Sequence, residues 1–154
     1  MILVCCLLSG CSAAASGSTS PLQTETADTA PEEEKESDMK DRIYLKINDV
    51  PLDVTWENNA SVQALTDMVI QQKVTIQMHL YGGFEQNGKL PGPIVSNDMQ
   101  MTSSFGDIFL YQSDSIVIFR GENTWDYTKL GHIDTEPQLL KELLSSDAVL
   151  TLEA

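Results

Sequence analysis

Arg42-Ile43-Tyr44-Leu45-Lys46-Ile47-Asn48 alternates apolar and polar side chains, and Leu52-Asp53-Val54-Thr55-Trp56 does so again after the turn residues Asn48-Asp49-Val50-Pro51. Successive side chains of an extended chain point to opposite sides, so Ile43, Leu45 and Ile47 share one face of a strand. Two such runs around a turn read as a β-hairpin. The same period returns in Lys73-Val74-Thr75-Ile76-Gln77-Met78-His79-Leu80. Between these runs Asn58-Asn59 offers a helix cap, and Val62, Leu65, Met68 and Val69 recur at helical spacing between Ala60 and Gln71.

Downstream, Tyr81 to Pro93 is rich in turn signals: Gly82-Gly83, Asn87-Gly88 and Pro91-Gly92-Pro93. Three apolar runs follow, at Ile94-Val95, Asp107 to Tyr111 and Ser115 to Phe119, with Asp114 in the turn between the last two. Trp125-Asp126-Tyr127-Thr128-Lys129-Leu130 is compatible with a paired strand or a loop. A second helix is expected from Thr135, where Thr135-x-x-Gln138 makes a capping box and Pro137 occupies the tolerant first turn. Leu139, Leu140, Leu143 and Leu144 give it an apolar face, and Asp147 to Glu153 reads as a closing strand. Many short strands with only two helices predict a mainly β fold, a closed barrel of about eight strands capped by two α-helices. Closure also removes exposed sheet edges.

The N-terminal segment has a different grammar. Met1 to Leu8 is apolar, and Leu8-Ser9-Gly10-Cys11 places two small residues before a cysteine. This is the pattern of a bacterial lipoprotein signal over residues 1–10, with Cys11 taking the lipid and becoming the mature terminus. The leader has no positive charge between Met1 and Leu8, so a start upstream of Met1 is expected. Eight apolar residues are too few to span a bilayer, which takes about 20. Cys5, Cys6 and Cys11 are the chain's three cysteines. Processing would leave the folded part without a disulfide or a cysteine nucleophile. Residues 12–41, poor in apolar side chains and including Pro31-Glu32-Glu33-Glu34-Lys35-Glu36, read as a disordered acidic tether. Such a coil reaches about 30 Å on root-mean-square average. The expected address is the extracytoplasmic face of a cell membrane, with the membrane engaged through the acyl anchor.

Residues 42–154 are long enough for one cored domain. The tether carries two bases against eight acids, and the domain seven against fifteen, within a net charge of −14. So acidic a domain is a poor nucleic-acid binder, because phosphate contacts require clustered Lys and Arg. A monomer is expected, with a peptide or protein as the partner.

The domain also resembles the bacterial cyclophilin-like domains. The resemblance rests on Tyr81-Gly82-Gly83-Phe84-Glu85, Gly88-Lys89-Leu90-Pro91, Asn97-Asp98, Gly106-Asp107-Ile108, Leu110-Tyr111, Ile116-Val117-Ile118-Phe119, Trp125-Asp126-Tyr127-Thr128 and Leu130-Gly131, in that order. It implies an eight-stranded barrel with two capping helices, of the kind found on lipoproteins or beside flavodoxin-like domains. It implies no activity. Cyclophilins that isomerise prolyl bonds use an arginine beside a hydrophobic proline pocket and a glutamine, within Phe-His-Arg followed by Phe and Gln-Gly-Gly. That stretch is absent here. The nearest strand end, Met78-His79-Leu80-Tyr81-Gly82-Gly83, has no arginine. The expected role is therefore a binding module without assigned chemistry. A divergent prolyl isomerase acting on exported proteins is the first alternative, and a redox accessory the second.

The candidate ligand-binding residues are Tyr81, Phe84, Glu85, Phe119, Arg120, Trp125 and Tyr127. Arg120 follows a buried apolar run and can donate to a carbonyl, with Trp125 and Tyr127 as an aromatic wall; pairing with Glu122 or Asp126 at the rim is the plainer alternative. Glu85 and Lys89 can pair with each other or orient a ligand. Tyr81 and Phe84 flank the glycine loop, facing either a shallow groove or the core. His79 and His132 have no i, i+4 relation and no cysteine nearby, so no metal site is expected. No Gly-x-Ser-x-Gly elbow or phosphate loop occurs, and no cofactor is expected.

Overall fold

The computed structural model describes residues 42–154; Cys11, the signal over 1–10 and the tether over 12–41 lie outside the described residues. The first hairpin turns at Asn48 and Asp49, whose φ values of 50° and 65° are what a two-residue hairpin turn demands. It joins β1 (Tyr44–Ile47) to β2 (Val50–Leu52), with Leu45 opposite Leu52. After β3 (Val54–Trp56) comes α1 (Ala60–Gln71), capped by the Asn59 side chain accepting from the Val62 N–H at 3.0 Å. Then follow β4 (Val74–Tyr81), β5 (Glu85–Lys89), β6 (Met99–Thr102), β7 (Asp107–Tyr111) and β8 (Ser115–Phe119). The chain ends with β9 (Thr124–Ile133), α2 (Pro137–Leu143) and β10 (Ala148–Glu153).

Asp53 explains the architecture. There the chain leaves β1, and β3 pairs instead with β9, Val54 opposite Ile133 and Trp56 opposite Gly131. The antiparallel sheet runs β2-β1-β10-β4-β5-β8-β7-β9-β3. Its two end strands are thus consecutive in the chain and separated by one residue. The sheet curls until its ends meet in a nearly closed barrel, as the composition of short strands and two helices predicts. Nine strands rather than about eight lie on this path, because the run Leu52–Trp56 splits at Asp53. β6 lies off the path and pairs with the first half of β9.

The barrel is filled by one apolar cluster that includes Leu45, Ile76, Ile108, Ile116, Ile118, Leu130 and Leu150. Leu65 and Val69, one helical turn apart on α1, plug it, as do Leu140 and Leu144 at α2. The expected capping box at Thr135 does not form. Pro137 takes the first helical position, so Glu136 is the cap residue and makes no side-chain cap bond. Gln138 instead donates to Glu142 at 3.3 Å. Ile94-Val95 is not a strand; the Ile94 N–H donates to the Ser113 carbonyl at 2.8 Å and fastens an irregular segment to the β7–β8 turn. The block around Trp125 resolves as strand β9.

A second apolar layer lies outside the barrel. β8 is buried at every residue: Ile116 and Ile118 face the interior, whereas Val117 and Phe119 join Phe109 and Tyr127 on the outer side. Phe84, Met101 and Tyr111 pack on this outer cluster.

Candidate functional site

The outer layer is the floor of a groove. Its centre is Tyr127, 96 % buried by area, with ring centroids 5.3 Å from Phe109, 5.4 Å from Phe119 and 5.8 Å from Tyr111. Edge-to-face and tilted geometries of this kind suit aromatic quadrupoles. Above the floor lies a groove of about 450 Å³ walled by five rings, those of Tyr81, Phe84, Tyr111, Trp125 and Tyr127. Its polar lining is Glu85, Asn87 and Asn123.

Local backbone rules place these groups. The β4–β5 turn needs Gly82 and Gly83, at φ 57° and 78°. A Cβ on Gly82 would lie 2.3 Å from the Phe84 ring, so the glycine also lets that ring fold back over the turn. Phe84 is fixed from the other side as its carbonyl accepts from the Arg120 N–H at 2.6 Å. On β5 the period of two sends Glu85 and Asn87 outward, opposite Phe119 and Val117. Gln86 goes inward, fully buried opposite Ile118, and donates to the Ser146 carbonyl. Gly88 also faces inward, where a Cβ would lie 2.4 Å from Ile76 Cγ2.

Glu85 is the unusual group. Its residue is only 7 % exposed, and its carboxylate accepts one side-chain bond, from Asn87 Nδ2 at 3.3 Å. Burial raises its pKa, and the Asn87 bond offsets this in part. Among the described residues no cation acts on it. Burial, and then the charge of Glu85, also raise the Tyr127 phenol, whose oxygen accepts from Asn123 Nδ2 at 2.9 Å.

Of the seven candidate residues, Tyr81, Phe84, Glu85, Trp125 and Tyr127 surround this groove. Phe119 lies beneath its floor. Arg120 is half-buried and is not part of the lining; only its backbone is tied to Phe84. Among the described residues no ion pair joins it to Glu122 or Asp126. Lys89 pairs with Asp114 at 2.6 Å rather than with Glu85. The sequence reading missed Tyr111, Asn87 and Asn123 as lining groups. Asn87-Gly88 looks like a turn but forms part of β5, and a lone asparagine such as Asn123 carries no sequence signal.

A second groove, of about 540 Å³, lies across β6 and shares Tyr127; Val95, Met99, Met101, Thr128 and Lys129 line it. Two of its polar side chains are already engaged. Lys129 Nζ is 3.2 Å from Asp107 and 3.9 Å from Glu57, and Thr128 Oγ1 donates to Asp98 at 2.6 Å. The histidines are partnered too, His132 with Asp107 and His79 with Asp147, each at 2.9 Å. Among the described residues no cluster of three metal-ligating side chains occurs, and no helix is long and apolar enough to cross a membrane.

The comparison with protein families agrees with this architecture. A model of the cyclophilin-like family matches residues 45–153. The chain belongs to the cyclophilin-like family. No curated protein and no solved structure matches it. Membership accounts for the barrel and its two helices. The prolyl-isomerase signature is not reproduced in the groove: among the described residues no arginine is in its lining, and Gln86, the glutamine of β5, is buried inside the barrel.

Proposed function

We propose that this cyclophilin-like domain is a lipid-anchored, extracytoplasmic binding module, monomeric, that holds an extended peptide or a small ligand against its outer aromatic layer. The observation that carries the reading is the groove itself: five rings over a packed aromatic floor, with a nearly buried carboxylate that has no cationic partner among the described residues. Concave sites lined by aromatic side chains and a few convergent polar groups are the usual form of ligand sites. Leu8-Ser9-Gly10-Cys11 and the acidic residues after it support the anchor and tether. Binding is favoured over isomerisation because, among the described residues, no guanidinium lines the groove to donate near a prolyl amide.

Shift mapping of the ¹⁵N-labelled full chain with extended proline-containing peptides tests the binding site. The expected result is saturable movement of the amides of Tyr81, Asn123 and Trp125, with the prolyl cis/trans exchange rate unchanged. Accelerated exchange would replace this reading with the isomerase; no movement at those residues would refute the groove. For the anchor, a metabolic fatty-acid label should enter the wild-type chain and be lost in Cys11→Ala. Retention of the label would refute acylation at that residue.

A further inference from the structure

The lining of the groove specifies a ligand chemistry. Half of the chain's aromatic residues converge on it, together with the Glu85 carboxylate, and among the described residues no basic side chain lines it. The face of an aromatic ring carries negative charge density and attracts cations placed over it. Trp125 and Tyr81 are 57 % and 62 % exposed, so both present ring surface to an arriving guest. A carboxylate as buried as Glu85 normally has an opposite charge beside it. Here Glu85 lines the groove, and Asn87 supplies one long hydrogen bond to its carboxylate.

From these observations we infer that the groove binds a quaternary ammonium group, a trimethylammonium head of a free small molecule or of a lipid headgroup. The inference rests on the binding reading above and names its ligand. A neutral guest would deepen the desolvation of Glu85 without compensating its charge. A compact, strongly hydrated cation such as a primary ammonium could donate to Glu85 and the asparagine oxygens, but the ring faces that make up most of the wall would not replace the rest of its water. A methylated ammonium keeps its charge, sheds water readily and offers apolar surface to the rings on all sides. The cavity of about 450 Å³ suits a ligand of this size. The net charge of −14 further favours the approach of cations.

The test is an NMR titration of the full chain, labelled at its two tryptophan indoles, with choline and with 3,3-dimethylbutan-1-ol, its uncharged carbon isostere. Trp56, whose indole donates to the Ile43 carbonyl at 3.1 Å, reports the fold and should not move. The Trp125 indole should shift saturably with choline, with an affinity at least tenfold above that for the isostere. Glu85→Gln should lower the preference for choline over the isostere at least threefold, and Trp125→Ala, followed through the backbone amides of Tyr81 and Asn123 in uniformly ¹⁵N-labelled chain, should weaken choline tenfold with the Trp56 indole signal unchanged. Glycerophosphocholine distinguishes the source of the group: tighter binding than choline assigns a lipid headgroup, weaker binding a free small molecule, and either supports the inference. Equal affinities of choline and the isostere for the wild-type chain, or binding of neither, overturn it. If proline-containing peptides still move the groove residues in that case, the binding module stands and only its ligand chemistry falls.

Discussion

The two sides of the barrel are built differently. On the side formed by β1, β10 and the start of β4, burial alternates along β1 and β4: Val74, Ile76 and Met78 face the interior, while Thr75, Gln77 and His79 face solvent; β10 departs from this only in burying Thr151 between Leu150 and Leu152. The outer surface there is polar and carries ion pairs such as Lys46 with Glu153. On the side formed by β5, β8, β7 and β9, the outer surface is covered by a second apolar layer, and β8 is buried throughout. A barrel needs only its interior filled, so the outer layer does work that closure does not require. It supplies the floor of the groove.

The contrast is broken most severely by Phe119→Ala. If the outer layer packs as well as a core, the loss is about 3–5 kcal/mol in denaturant unfolding, comparable to deleting an interior side chain. Gln77→Ala, an outward position on the opposite side, should change stability by less than about 0.5 kcal/mol. Similar values for the two would erase the distinction. A middle-sized effect is expected where the two sides join. Gly88→Ala forces a methyl group against Ile76 and the Gln77 carbonyl, and should cost about 1–3 kcal/mol.

Buried and exposed carboxylates titrate in opposite senses. Burial raises Glu85, so its protonated form suits the folded state; its contribution is fully present below the ordinary glutamate value of 4.5 and is lost as pH rises through the raised folded value. The hydrogen bond from Lys46 lowers Glu153, and that from His79 lowers Asp147. Their contribution is present above the ordinary carboxylate range and is lost as pH falls through the lowered values. Unfolding measured across this range should show Glu85→Gln gaining on the wild type as pH rises. A constant difference between the two proteins would exclude the buried carboxylate as its source. The smallest effect belongs to Lys73→Ala. Its Nζ is 3.7 Å from Glu153 at an exposed site, and stability should move by no more than about 0.5 kcal/mol.

The same contrast governs what could be read from sequence. β1, β2 and β4 are legible because one face meets water and the other meets the core, which writes a period of two into the residues. The runs at 107–111 and 115–119 are legible as apolar segments, but a strand covered on both faces does not reveal what covers it. Glu85-Gln86-Asn87-Gly88-Lys89 conceals β5, since its buried residues are polar or glycine. Met99-Gln100-Met101-Thr102 is a short strand off the barrel path and lacks a strong pattern. The aromatic residues of the groove are visible in the sequence one by one, but not their convergence. Arg120 follows Phe119 by one position, and alternation does not return a side chain to the same face until the second residue.

The claim that the outer aromatic layer is the binding surface is tested most directly by titrating the Trp125→Ala and Gln77→Ala chains side by side with choline and with proline-containing peptides. The account predicts wild-type affinity for Gln77→Ala and at least a tenfold loss for Trp125→Ala. Equal affinities, the reverse order, or no binding even by the wild-type chain would contradict it.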